Sequence, residues 1–194
     1  MKPTGIILCG GESKRMGKNK ALLKLGNITI VEHLINILKP ICDEIILSVN
    51  NHELDFLPYI KVNDKINGIG PISGFYSCLL ESKTEENIII SCDTPFITST
   101  LLNLLKENSQ GFEIVIPIFK NQIQPLIGLF KKSSLLAIKY HLDKGNYKPI
   151  NIFENCNTNF LKIELENLPK PDFLFLNINN IEDYHDALKI YDTL

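Results

Sequence analysis

The stretch from Gly5 to Lys20 decides the fold, and it reads Gly-Ile-Ile-Leu-Cys-Gly-Gly-Glu-Ser-Lys-Arg-Met-Gly-Lys-Asn-Lys. Its short apolar run, residues 5–9, predicts a buried strand, and the glycines behind it predict a loop. In open α/β sheets, ligands bind beyond the carboxyl ends of the strands. The loop after this strand is therefore a candidate binding site by its position alone.

The rest of the chain repeats the alternation of buried strand and helix. Strands buried on both faces and separated by helices predict a parallel sheet covered on both sides. We therefore expect a three-layer, Rossmann-like α/β fold with a mostly parallel sheet, and a hairpin around Asn121. The pattern predicts further strands at 44–49, 59–62, 87–92, 113–116, 160–165 and 173–178, and helices at 31–38 with Thr29 as cap, 71–82, 98–108, 133–144 and 181–191.

Composition excludes several classes of protein. The 194 residues carry a net charge of -2, which argues against a protein that binds nucleic acid through bulk positive charge. The five cysteines form no CxxC pair, so neither a disulfide scaffold nor a zinc finger is expected. No apolar run is long enough for a signal peptide or a membrane span, and a cytosolic protein is expected.

The chain contains no linker or repeat, so one domain is expected over residues 1–194. We divide it into a nucleotide-binding half over 1–110 and an acceptor-binding half over 111–194. Four phenylalanines are expected in the core because no basic stripe accompanies them, namely Phe56, Phe75, Phe173 and Phe175.

The loop after the first strand is a candidate phosphate site. Successive main-chain N–H groups at Gly10 and Gly11 can form an anion-binding nest. Arg15 is the chain's only arginine, and a guanidinium binds phosphate in a bidentate manner. The spacing matches neither a Walker A loop nor GxGxxG, and a solvated basic turn stays open as an alternative. Between 14 and 24 the chain has no acid and five cations, Lys14, Arg15, Lys18, Lys20 and Lys24.

Carboxylates follow two other predicted strands. Asp93 ends the strongest of them, and Asp64 follows the strand at 59–62. Magnesium in nucleotide sites usually takes one or two protein carboxylates together with substrate phosphates. Asp93 is therefore the candidate metal ligand and Asp64 the second candidate, although either aspartate could instead form a turn.

The sequence resembles the molybdenum cofactor guanylyltransferases. Residues 8–20 resemble the family's signature LAGGxSxRMGxDK, with Cys9 in place of Ala and Asn19 in place of Asp. Residues 92–95 resemble its CDxP metal motif, and Asp64 with residues 70–74 resembles its D...GPLxG segment. Thinner matches lie at residues 48–50 (SxN), 124–126 (QPL) and 175–183 (FxNxNTPEDL).

This resemblance implies a fold of the nucleotide-diphospho-sugar transferase type and a Mg²⁺-dependent reaction. GTP and molybdenum-molybdopterin would give the guanine dinucleotide cofactor and pyrophosphate. The implied partners are these two small molecules and, transiently, molybdenum-insertion proteins or apo-molybdoenzymes, with no nucleic acid or membrane and with a monomeric enzyme.

The resemblance and the residue chemistry together suggest a role for each candidate. Arg15, Lys20 and Asp93 are the expected catalytic residues, and Asp93 is also the expected metal ligand. The expected nucleotide contacts are Leu8, Cys9, Gly10, Gly11, Lys20, Asn50, Asp64 and Asp93, and the expected pterin contacts are Gly74, Gln124, Asn177 and Asn179.

Two alternative functions remain open at this point. One is cytidylyl transfer to molybdopterin or to a sugar or methylerythritol phosphate, although Gly10, Gly11 and Thr94 favour the guanylyl group. The other is a nucleotide-binding module without turnover, against which Arg15, Lys20 and Asp93 argue.

Overall fold

The first strand, β1 (Thr4–Leu8), lies inside a sheet and is buried along its whole length. A computed structural model describes residues 1–10, 19–66, 68–164, 168 and 171–193. The strands that follow in these residues are β2 (Lys24–Leu25), β3 (Ile28–Thr29), β4 (Glu44–Val49), β5 (Ile60–Asn63), β6 (Glu86–Ser91), β7 (Ile114–Phe119), β8 (Gln122–Ile123), β9 (Gly128–Lys131) and β10 (Thr158–Lys162).

The large sheet has the order β10-β7-β9-β6-β1-β4-β5, and β8 pairs with β7. Strand β1 pairs in parallel with β4 on one side and with β6 on the other, and β5 continues in parallel beside β4. Only β9 runs against its neighbours along this path, since it is antiparallel to both β6 and β7. The predicted, mostly parallel sheet is confirmed, and it continues across residue 110 without a break.

Helices cover both faces of the sheet, as predicted for three layers. Ile6, Ile46 and Ile89 face one core cluster, and their chain neighbours Ile7 and Leu47 face the other. This alternation follows from the two-residue period of a strand. The helices are α1 (Ile30–Leu38), α2 (Pro71–Glu81), α3 (Ser99–Glu107), α4 (Leu135–Asp143) and α5 (Ile181–Tyr191), with 3₁₀ turns at Lys20–Leu22, Lys132–Ser134, Pro149–Asn155 and Pro171–Phe173.

The helix boundaries follow the local signals in the sequence. Thr29 caps α1 in a reciprocal capping box with Glu32. Asn180 caps α5 in the same manner with Asp183, so an asparagine provides the cap at this helix start. Pro71 begins α2 in the first turn, where its missing N–H costs nothing. The hairpin around Asn121 is also confirmed, and Lys120 and Asn121 both have positive φ.

Two sequence-based expectations are wrong. Residues 173–178 form no strand. Phe175 and Ile178 pack into the core from a loop, and the Ile178 N–H donates to the Asp93 carbonyl at 2.8 Å. Phe56 is 63% exposed and Phe173 is 37% exposed, so neither belongs to the core. The other two phenylalanines, Phe75 and Phe175, are buried as expected.

The capping box of α1 makes a prediction about stability. The Thr29 hydroxyl and the Thr29 N–H both donate to the Glu32 carboxylate, at 2.7 and 2.8 Å, and these two bonds hold the pKa of Glu32 below its usual range. The hydroxyl also accepts from the Glu32 N–H at 3.3 Å. Thr29→Ala should lower the free energy of unfolding by about 1 kcal/mol at pH 7. Urea unfolding measures this loss.

The same loss should depend on pH. The folded-state pKa of Glu32 is depressed, so its contribution is present above the unfolded pKa and fades as the pH falls through the folded pKa. Thr98→Ala is the matched control, since Thr98 caps α3 through the Leu101 N–H without a carboxylate partner. A difference in the free energy of unfolding between wild type and Thr29→Ala that stays constant down to pH 3 contradicts this account.

Candidate functional site

The carboxyl ends of β1, β4, β5 and β6 open into a cavity of about 880 Å³. Parallel strands bring their carboxyl ends to one edge of the sheet, so residues far apart in the chain meet here. The cavity is lined by Leu8, Cys9, Gly10, Asn19, Lys20, Ser48, Val49, Asn50, Asn51, Glu53, Leu54, Asp64, Gly68, Gly70, Pro71, Gly74, Ser91, Cys92, Asp93 and Leu126.

Main-chain hydrogen bonds hold the start of the glycine loop against both neighbouring strands. The Cys9 N–H donates to the Ser48 carbonyl at 3.0 Å, and the Cys92 N–H donates to the Leu8 carbonyl at 3.1 Å. A Cβ at Gly10 would come within 3.0 Å of the Asn50 side-chain amide group, so the loop passes this side chain closely. Gly11 and Arg15 lie outside the described residues, as do Lys14 and Lys18.

Asp64 lies in a polar corner between β4 and α2. The Ser48 hydroxyl donates to its Oδ1 at 3.3 Å, and the Asn50 amide, with its nitrogen turned inward, donates to Oδ2 at 3.3 Å. Partial burial raises the pKa of Asp64, and the Ser48 hydrogen bond opposes this effect. Gly74 keeps α2 close, because a Cβ there would lie 2.7 Å from the Ser48 hydroxyl. This corner therefore has no space for a side chain at position 74.

Lys20 and Asp93 line the same cavity from two different strand ends. Lys20 begins the 3₁₀ turn Lys20–Leu22, which the Asn19 side chain caps. Asp93 follows β6, and its Oδ1 accepts from the Thr94 hydroxyl at 3.3 Å. The thiol of Cys92 is influenced by both charges: burial and, to a smaller extent, Asp93 raise its pKa to about 12, while Lys20 opposes this rise. The cavity thus holds a cation and a carboxylate near each other.

The two thiols that line the cavity are poor nucleophiles. Burial, together with the nearby thiols of Cys92 and Cys78, raises the pKa of Cys9 well above its usual range. A thiol reacts as its thiolate, so Cys9 and Cys92 stay protonated and unreactive near neutral pH. The arrangement favours positioning and electrostatic stabilisation over covalent catalysis by cysteine.

The structure places most of the expected site residues at this cavity. Leu8, Cys9 and Gly10 line it, and so do Lys20, Asn50, Asp64, Gly74 and Asp93. Three expected pterin contacts, Gln124, Asn177 and Asn179, do not line it. The segment with the two asparagines still touches the site, since the Ile178 N–H bonds to the Asp93 carbonyl.

Sequence reasoning missed part of the cavity wall. Asn19, Asn51 and Glu53 line the cavity and are linked by side-chain hydrogen bonds. The signal for Asn51 and Glu53 was their position just after β4, where a strand end faces the site. Gly68 and Leu126 also belong to the wall and were not singled out.

The acidic groups suit a cation that is shared with a ligand. In the described part of the chain, no three His, Cys, Asp or Glu side chains are placed to hold a metal ion together. The carboxylates that line the cavity together with Lys20 are those of Glu53, Asp64 and Asp93. Mg²⁺ is commonly held by one or two carboxylates, waters and substrate phosphates, so this donor set fits it.

The environment of Asp64 makes a prediction about stability. Its folded-state pKa is raised, so the ionised form is unfavourable in the native state above that pKa. Asp64→Asn should raise the free energy of unfolding slightly at pH 7, and the gain should vanish below the unfolded pKa of aspartate. Urea titrations at pH 7 and pH 3 measure it, with the exposed Glu85→Gln as control. An Asp64→Asn variant less stable than wild type at pH 7 would show that burial of the charge is not the dominant effect.

Comparison with known proteins assigns the chain to a family. The model of the MobA-like NTP transferase domain matches residues 5–155. A protein of Carboxydothermus hydrogenoformans named "Probable molybdenum cofactor guanylyltransferase" is 36% identical over 97% of this chain and 96% of its own length. A protein of the same name from Flavobacterium johnsoniae is 33% identical over 94% of this chain and 95% of its own length.

Solved structures agree on the fold. "Molybdopterin-guanine dinucleotide biosynthesis protein A" of Archaeoglobus fulgidus superposes with a TM-score of 0.85 at 20% identity. The superposition covers 98% of this chain and 100% of that chain. The 2-C-methyl-D-erythritol 4-phosphate cytidylyltransferase of Thermus thermophilus superposes with a TM-score of 0.73 at 13% identity. The superposition covers 99% of this chain and 100% of that chain.

The resemblance carried by residues 8–20 and 92–95 is therefore confirmed at the level of the family. No helix in the described ranges combines the length and the apolar character needed to cross a membrane. The chain belongs to the MobA-like NTP transferase family and is a nucleotidyltransferase.

Proposed function

We propose that this enzyme transfers GMP from GTP to molybdenum-molybdopterin, forming the guanine dinucleotide cofactor and releasing pyrophosphate in a Mg²⁺-dependent reaction. The observation that carries the proposal is that Lys20 and Asp93 line one cavity at the carboxyl ends of β1 and β6. The names of the relatives from Carboxydothermus hydrogenoformans and Flavobacterium johnsoniae support the guanylyl group and the molybdenum cofactor.

The chemistry of this transfer suits a cavity without a strong base. The phosphate monoester of the acceptor has a second pKa of about 6, so it is a dianion near neutral pH and attacks without general-base help. No histidine lines the cavity among the described residues. The work of the protein is to align two anions and to offset the charge that develops between them.

The described residues suggest how the nucleotide is held. The main chain at Leu8, Cys9 and Gly10 would receive it, and Lys20 would neutralise the triphosphate. Arg15 and the nest at Gly10 and Gly11 that the sequence predicts would assist in this. Loss of pyrophosphate leaves negative charge on the departing oxygen, and a fixed ammonium group nearby stabilises that charge without reorganisation. The Asn19 cap holds the main chain of the 3₁₀ turn that begins at Lys20.

The carboxylates would divide between metal and nucleoside. Asp93 would hold Mg²⁺, which would offset the negative charge of the phosphates. Asp64 is tied to Ser48 and Asn50 and is partly buried, so it would contact the nucleoside from the polar corner. The raised pKa of Asp64 is compatible with a hydrogen-bonding role, since a buried carboxylate gains most from a donor on the ligand.

The acceptor side of the proposal rests on fewer contacts. Gly74 lines the cavity and Ile178, between Asn177 and Asn179, bonds to the Asp93 main chain. The roles of Gln124, Asn177 and Asn179 in binding the pterin, and the acceptor half over 111–194, stay predictions. The same holds for a monomeric state, a cytosolic location and contact with molybdenum-insertion proteins or apo-molybdoenzymes.

The proposed substrate can be tested directly. The enzyme is incubated with molybdenum-molybdopterin, Mg²⁺ and each of GTP, CTP, ATP and UTP, and pyrophosphate release is followed. GTP should exceed CTP by about 100-fold, because a site built to hydrogen-bond one base leaves its polar groups unpaired with another. Faster release with CTP would point to cytidylyl transfer, and release that needs a sugar or methylerythritol phosphate would identify a different acceptor.

The two charged groups make a separate prediction. Lys20→Ala and Asp93→Asn should each lower kcat/KM for GTP by about 100-fold or more, since removing one preorganised charge from such a site costs about 3 kcal/mol in the transition state. Asp93→Asn should also raise the Mg²⁺ concentration needed for half-maximal rate. Lys148→Ala is the control, as Lys148 is exposed and does not line the cavity.

Stability should change little in these variants. Lys20 and Asp93 lie on loops at the mouth of the sheet and support no part of the core, so their unfolding midpoints should stay near that of wild type. Near-normal turnover in both variants would remove the basis of the proposal.

A further inference from the structure

The carboxylate of Glu53 joins two loops that form one wall of the cavity. Its Oε2 accepts from the Asn19 amide at 2.8 Å and from the Asn51 amide at 2.9 Å. The Glu53 N–H in turn donates to the Asn51 Oδ1 at 3.1 Å. Asn19 stands immediately before Lys20, whereas Glu53 and Asn51 follow β4, so the contact spans 34 residues of sequence.

Asn19 uses both ends of its amide group. Its Oδ1 accepts from the Ala21 N–H at 3.0 Å and so caps the 3₁₀ turn that carries Lys20. Its Nδ2 donates to Glu53. An aspartate at position 19 could cap the turn equally well, but it has no hydrogen to donate and would place a second carboxylate against Glu53.

An amide at position 19, where the signature that residues 8–20 resemble has an aspartate, makes both of these bonds. The carboxylate on this wall comes from Glu53 on the β4–β5 loop, and an amide at position 19 is what that carboxylate requires. We propose that Glu53 is a positioning residue, which acts through Asn19 to hold Lys20 in place for the nucleotide triphosphate. The proposal rests on the proposed function for the identity of that ligand.

A simple electrostatic view of Glu53 makes the opposite prediction. Glu53 is a negative charge on the wall of a cavity that would receive a polyanion, so its removal alone should strengthen nucleotide binding. If Glu53 instead holds the turn of Lys20, its removal should weaken binding. The sign of the change therefore separates the two roles.

Four variants test the arrangement. Glu53→Ala removes the link, and Asn19→Asp sets two carboxylates against each other. In the Asn19→Asp/Glu53→Gln double variant, the amide at position 53 can donate to the carboxylate at position 19. The hydrogen bond between the two side chains is then restored, with donor and acceptor exchanged. Asp55→Ala is the matched control, because Asp55 is an exposed acid on the same loop that pairs with His52 and does not line the cavity.

The first readout is the dissociation constant and KM for GTP, set against kcat and the unfolding midpoint. Glu53→Ala and Asn19→Asp should each raise the dissociation constant and KM by about tenfold, as expected for a hydrogen bond to a charged group. The unfolding midpoint should stay unchanged because the contact is exposed. The double variant should recover to within about threefold of wild type, and Asp55→Ala should match wild type.

The second readout needs no nucleotide. Hydrogen–deuterium exchange of the ligand-free enzyme should be faster over residues 20–25 in Glu53→Ala and Asn19→Asp and should return to the wild-type rate in the double variant. Tighter GTP binding in Glu53→Ala, or no recovery in the double variant, overturns the positioning role while leaving the proposed function intact. A wild-type enzyme that binds no GTP overturns the proposed function, and exchange then decides the link between Asn19 and Glu53 by itself.

Discussion

The pairing of β1 with both of its neighbours is the constraint on which the site depends. Leu8 is in register with Ser48 of β4 and with Ser91 of β6, and two further main-chain bonds, from Cys9 to Ser48 and from Cys92 to Leu8, extend these ladders past the strand ends. Because parallel strands in register end at the same level, the loops that follow them emerge together. A shift of one residue would turn side chains such as Cys9 and Cys92 from one face of the sheet to the other.

Charge and burial in the cavity favour electrostatic positioning over covalent catalysis by cysteine. The thiols of Cys9 and Cys92 lie in the cavity wall but are kept protonated by burial. Lys20 and Asp93 provide opposite charges close together, and the partly buried Asp64 is held by Ser48. A nucleotidyltransferase of this kind needs its groups to be fixed before the substrate arrives, since preorganised charges cost no reorganisation during the reaction.

The groups that form the cavity differ in what they cost or contribute to the stability of the fold. Partial burial of Asp64 raises its pKa, which means that the native state holds this charge at a cost. Gly74 keeps α2 close enough to pack against Ser48, and a side chain there would break the corner. By contrast, the bond between Asn19 and Glu53 is exposed, so it contributes little to folding.

By itself the sequence determined the layers of the fold, the ends of most helices and strands, and the loops that meet at the site, because these depend on local periodicity, caps and glycines. It also identified Lys20, Asp64 and Asp93, since strand ends that carry charges can be read from the chain. Tertiary structure alone decided that β9 runs antiparallel between β6 and β7 and that residues 173–178 pack as a loop against Asp93. It also decided that Glu53 reaches Asn19. These contacts join residues that are at least 14 positions apart, and no local pattern encodes which partner a strand, a carboxylate or a main-chain N–H will find once the core has packed.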